Sequence, residues 1–116
     1  MSKIDDLTRL KHIREATIEA INFVEGRCRQ DLETERMLSL ALVRLIEIIG
    51  EAANNISFQK QDRYSEIPWR RMVGMRNRLS HAYFEVDVDI VWQVVTQDLP
   101  QILPQIETAI SELEEV

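Results

Sequence analysis

The chain has 116 residues, 45% of them hydrophobic, and a formal charge of −6, which suffices for one buried core and argues against a generic nucleic-acid binder. With only three glycines and three prolines, it lacks the turn chemistry that a β-sandwich, a barrel or a disordered tail requires, so an all-α single domain over residues 1–116 is expected. The single cysteine, Cys28, has no intrachain disulfide partner and cannot build a multi-thiolate zinc site, which suits a reducing cytoplasm.

From Leu7 to about Gly26, positions Leu10, Ile13, Thr17, Ile21 and Val24 recur at three- and four-residue steps, the stripe of an amphipathic helix with Gly26 as its stop. Asp31 is placed to cap a second helix running to about Ile56. Its stretch from Met37 to Ile49 is apolar around most of its circumference, which predicts more than one buried face, at the centre of a bundle or in a dimer seam. Gly50, Ala52 and Ala53 are small enough to admit another helix closely. Residues 57–66 show no clean period and read as a loop with about one helical turn. Pro68 then starts a third helix from its first position, with Trp69, Met72 and Val73 as its apolar face. Gly74 interrupts this helix, either to admit a neighbour or to open backbone to a ligand, and the helix is expected to end near His81. Asp87 or Asp89 caps a fourth helix, Val88 to about Gln97, and Asp98 caps a fifth that runs to the end, with Pro104 kinking it or delaying its start. The expected fold is a four- to five-helix antiparallel bundle.

No stretch of about 18 apolar residues occurs, and Asp5 and Asp6 follow Lys3 too closely for a secretory leader. A cytoplasmic protein without membrane contact is therefore expected.

The charge is unevenly spread. Residues 60–78 hold Lys60, Arg63, Arg70, Arg71, Arg76 and Arg78 against Asp62 and Glu66, a local +4 that leaves −10 elsewhere. A charge run alone is usually a solvated face. Here it leads into one of only two histidines, His81, the side chain best suited to move protons near neutral pH. The other, His12, sits between Lys11 and Ile13 on the first helix and reads as surface. On a continuous α-helix, Arg76 and His81 would point about 140° apart, while Asn77 and His81 would share a face. Either the helix unwinds before His81, or two copies of the chain line one cleft. Asn77 is then available to hold the tautomer of His81. A metal set of His81, Asp87 and Asp89 is a poor one, because both aspartates are candidate helix caps. Trp69 and Trp92 read as core in preference to base-stacking platforms.

The run Ile67-Pro68-Trp69-Arg70, then Gly74-Met75-Arg76-Asn77-Arg78-Leu79-Ser80-His81-Ala82-Tyr83-Phe84, then Asp89-Ile90-Val91-Trp92 and Asp98-Leu99-Pro100, closely resembles the HepT-like family of the HEPN superfamily. The central signature, Arg-x4-His-x-Tyr with a polar residue after the arginine, is met by Arg76, Asn77, His81 and Tyr83. The resemblance implies a homodimeric helical bundle with the motif at the dimer cleft, an RNA-cleaving toxin activity, and a minimal nucleotidyltransferase antitoxin that attaches AMP to the motif tyrosine, here Tyr83. Arg76 and His81 would be catalytic, with Asn77 and Tyr83 in support and Arg70, Arg71 and Arg78 on the RNA. No metal or cofactor is called for. His81 would serve as general base or acid at the ribose 2′-hydroxyl and the leaving oxygen, and Arg76 would stabilise charge on the phosphorane. The alternative is a catalytically inactive helical subunit that presents a nucleotide or substrate to a partner nucleotidyltransferase.

Overall fold

Helix α1, Asp6–Val24, starts where the Asp5 carboxylate accepts a hydrogen bond from the Thr8 amide at 2.7 Å, satisfying one of the donors that a helix start leaves open. Beyond its end, Gly26 takes a φ of 75°, the left-handed turn for which a side chain is a hindrance. The computed structural model describes residues 4–79 and 85–115, and their regular structure is helical.

The second helix expected from the sequence is two helices, α2 (Arg29–Thr34) and α3 (Arg36–Asn54), broken at Glu35, whose φ and ψ are −114° and 89°. The start lies before Asp31, because the Asp31 carboxylate reaches back to accept the Cys28 amide at 2.9 Å. Side chains hold the break. Glu35 pairs with Arg27, and the Ser39 hydroxyl donates to the carbonyl of buried Leu32. One face of α3 is buried through Leu42, Leu45, Ile46, Ile49 and Ala53, but Met37 and Leu40 stay 87% and 46% exposed. Its apolar circumference is therefore only partly covered within one chain.

Ser57 caps a short helix, α4 (Phe58–Arg63), in the segment expected to be a loop with one helical turn. The Ser57 hydroxyl accepts the Lys60 amide at 3.3 Å and itself donates to Asp6 at 2.7 Å, tying α4 to the start of α1. Helix α5 is Trp69–Gly74. Pro68 is its cap and not its first helical residue, since its ψ of 69° lies outside the helical region.

The last two expected helices form one continuous helical run: α6 (Val88–Gln93), a π-helical turn over Val94–Asp98, and α7 (Leu99–Glu114). Asp87 caps α6 by accepting the Ile90 amide at 3.2 Å. Asp98, expected to cap a restarted helix, has helical φ and ψ and makes no cap bond with its side chain. Pro100 accounts for the difference: its nitrogen has no proton and its ring would crowd the Thr96 carbonyl one turn back, a conflict that the wider π turn relieves. Pro104 lies inside α7 without delaying its start.

Helix α1 packs antiparallel to α3 and α7. Arg9 donates to the Asn55 carbonyl at the far end of α3, and Lys11 pairs with Glu114 at the far end of α7. Between them lies the core of Leu10, Ile13, Ile46, Ile49, Leu99, Ile106 and Ile110, all at most 2% exposed, whose burial contributes roughly 1.5–3 kcal/mol per large side chain. The expected all-α bundle is observed. Among the described residues no helix is long and apolar enough to cross a membrane.

Candidate active site

Met72, Met75 and Leu79 are each at most 2% exposed, and these three anchors dictate what lies between them. Regular α-helix ends at Gly74, and Met75–Arg78 continue as a 3-10 turn. Met72, Met75 and Leu79 follow three- and four-residue steps on the face turned to the core, and Arg76, Asn77 and Arg78 between the last two are exposed. The anchors themselves are set by α3. A Cβ on Gly50 would stand 3.1 Å from the Met72 carbonyl oxygen and 3.5 Å from that of Val73, so the glycine lets α5 lie directly on α3. Of the two roles open to Gly74, admission of a neighbouring helix does not hold among the described residues, because a Cβ there would meet nothing within 4 Å.

The change to a 3-10 turn alters the angular reading of the motif. On a continuous α-helix Asn77 would share a face with His81, and Arg76 would point away from it. The α-helix gives way at Met75 and the 3-10 turn ends at Arg78. Ser80 to Phe84, including His81 and Tyr83, lie outside the described residues. The residues on either side are joined: the Asp87 amide donates to the Leu79 carbonyl at 2.6 Å.

The arginines of the basic island fall into two groups. Arg71 Nη2 donates to Asp98 Oδ1 at 2.8 Å, and Arg78 Nη2 lies 3.9 Å from Asp98 Oδ2. Arg63 stands over the Tyr64 ring and lies 3.7 Å from Glu112. Arg70 and Arg76 are exposed and make no ion pair among the described residues. Of the arginines in the segment, they are the two whose charge is least committed within the protomer. A cleft of about 210 Å³, lined by Glu66, Pro68, Arg71, Asp98, Gln101 and Gln105, opens beside the Arg71–Asp98 pair.

Other candidates resolve into structural roles. Trp69 is 7% exposed and donates through Nε1 to the Tyr64 carbonyl at 3.0 Å, so it is core; Trp92 is half-buried. Asp89 pairs with Arg29, and His12 is exposed beside Arg9 and Glu51. The feature that sequence reasoning missed is Asp98, because its principal partner lies 27 positions earlier in the chain.

The sequence profile of the family described as "Ribonuclease HepT-like" matches residues 13–109. The chain belongs to the HepT-like ribonuclease family. A protein of Methanocaldococcus jannaschii whose name assigns it provisionally as an RNase is 35% identical over 107 residues, 92% of this chain and 98% of that protein. A Thermococcus cleftensis protein named provisionally as the ribonuclease HepT is 40% identical over 93 residues, 80% of this chain and 84% of its own length. A provisional RNase of Caldanaerobacter subterraneus is 34% identical over 97 residues, covering 84% of this chain and 87% of its own. No solved structure gives a significant match. The family resemblance read from the motif residues is thus matched along most of the chain, and the activity class is that of a ribonuclease.

Proposed function

We propose that the chain is a metal-independent endoribonuclease that acts as the toxin of a type VII toxin–antitoxin pair. The observation that carries this reading is the exposure of Arg76 and Asn77, five and four positions before His81, on a turn anchored by Met72, Met75 and Leu79. An arginine with no ion pair among the described residues has its full set of N–H donors available for a phosphate. His81 takes the proton of the ribose 2′-hydroxyl or gives one to the leaving 5′-oxygen. The 2′-oxygen then attacks the adjacent phosphorus, the P–O5′ bond breaks, and Arg76 stabilises the charge that builds on the phosphoryl oxygens. This route requires a 2′-hydroxyl, so RNA is cut and DNA is not. Arg70 offers a phosphate contact on the approach, Arg71 offers only the donors that Asp98 leaves over, and Arg78 lies near Asp98 without a hydrogen bond to it.

The exposed apolar side chains Met37 and Leu40 of α3, with Ile48 and Ala52 half-buried beyond exposed Arg44, favour a homodimer, since an isologous contact would cover them. Sedimentation of a 13.6 kDa species alone at micromolar concentration would contradict it. The partner is a minimal nucleotidyltransferase antitoxin that transfers AMP to Tyr83. The RNA-cleaving role is tested with the unmodified protein on a mixed RNA pool, beside Arg76→Ala and His81→Ala. Cleavage by the parent and loss in both variants is the expected result. A folded protein that cuts nothing would favour the inactive nucleotide-presenting subunit instead.

A further inference from the structure

Thr17, Ser39 and Asp98 are the buried polar side chains among the described residues, and only Asp98, 9% exposed, carries charge. Burying a carboxylate costs several kcal/mol unless cations and donors surround it. Here the compensation is specific. Oδ1 accepts from Arg71 of α5 at 2.8 Å, and Oδ2, which has no hydrogen-bond partner, has Arg78 at 3.9 Å. Arg71 lies in α5 and Arg78 is the last residue of the 3-10 turn, so one carboxylate spans both ends of the segment that projects Arg76. Asp98 itself belongs to the π turn that precedes Pro100, so its position is fixed from the opposite side by α7.

We infer that Asp98 is a positioning residue for the cleavage reaction: it clamps Arg71 and Arg78 and so fixes the direction in which Arg76 leaves the 3-10 turn. The inference rests on the ribonuclease reading of the site. Its mechanism separates binding from chemistry. Without the carboxylate, the two guanidinium groups repel each other and the end of the turn is released, while local positive charge rises by one. RNA binding is then unchanged or tighter, and the chemical step is slower, because misplacing a transition-state donor affects kcat and not ground-state affinity.

The test is a double-variant cycle on a short RNA substrate with wild type, Asp98→Asn, Arg78→Met and the double variant. Expected is a fall in kcat of about tenfold or more in Asp98→Asn with KM not raised, and a double variant no slower than the slower single. Unaltered kcat in folded Asp98→Asn, or effects of the two substitutions that simply multiply, would overturn the inference. Should Asp98→Asn fail to fold, Arg78→Met, which changes a half-exposed partner, carries the kcat measurement by the same criterion. A second readout needs no activity: the ¹⁵N Nε–H signals of Arg71 and Arg78 should be individually resolved in wild type and collapse to the free-arginine position in Asp98→Asn. A wild type that cuts no RNA defeats the ribonuclease reading, and the arginine signals then decide the clamp, with an already averaged Arg78 signal overturning it.

Discussion

The amide of Asp87 donates to the carbonyl of Leu79 at 2.6 Å, joining the two residues that bracket the second half of the motif. Leu79 is 2% exposed, and Asp87 caps α6, so each end of this bond is held by a different part of the core. Asp87→Ala removes the cap and is expected to cost about 1 kcal/mol or more of stability. Thermal unfolding of the variant beside wild type checks this, and an unchanged midpoint would contradict the cap.

Gly50 and Gly74 should respond oppositely to a methyl group. A Cβ at Gly50 meets the Met72 carbonyl at 3.1 Å, so Gly50→Ala must push α5 off α3, at an expected cost of about 1–3 kcal/mol, with weaker RNA cleavage because the motif turn moves with α5. A Cβ at Gly74 meets nothing within 4 Å, and its φ of −81° suits any residue. Gly74→Ala should leave urea unfolding unchanged or raise stability by up to about 1 kcal/mol. Instability of Gly74→Ala matching that of Gly50→Ala would show that the packing account of α3 and α5 is wrong.

The packing faces were legible in the sequence because they depend on local periodicity: the stripe of α1, the small residue at Gly50 and the cap at Asp87 are each read within one or two turns. The breaks were not. Glu35 interrupts α2–α3 through Arg27, Leu32 and Ser39, and Asp98 answers to Arg71 and Arg78, so these features depend on side chains that meet only after folding. The motif was legible as residue types, but the change from α-helix to a 3-10 turn at Met75 was not, because the three- and four-residue steps of Met72, Met75 and Leu79 fit an unbroken α-helix equally well.

Burial, with the neighbouring Glu112 acting in the same direction and Arg63 against it, pushes the Tyr64 phenol above its ordinary value of 10. Its hydroxyl donates to Glu112 at 3.2 Å. A raised phenol favours the neutral form in the folded state, so its stabilising effect is complete below pH 10 and is lost as pH rises through the higher folded value. Unfolding followed from pH 8 to 12 should therefore show wild type losing stability relative to Tyr64→Phe only above about pH 10. Parallel curves across that range would contradict the assignment.

AMP on Tyr83 would set a phosphodiester anion and an adenine in the sequence neighbourhood of Arg76 and Arg78, where charge pairing and occupancy both oppose RNA entry. Co-expression with the cognate nucleotidyltransferase, followed by peptide mass spectrometry, is expected to show a single AMP on Tyr83 and none on Tyr83→Phe. AMP on another residue would reject Tyr83 as the regulatory position.

The proposed reaction is RNA cleavage by internal 2′-hydroxyl attack, carried by Arg76 and His81 without a metal ion. Its most direct test is cleavage of one oligonucleotide in EDTA, first as all-RNA and then with a single 2′-deoxy substitution at the mapped scissile position. The account predicts cleavage of the RNA with a 2′,3′-cyclic phosphate end, none at the deoxy position, and losses of about 10²-fold or more in Arg76→Ala and His81→Ala. Cleavage at the deoxy position, or activity abolished by EDTA and restored by a divalent ion, would contradict it.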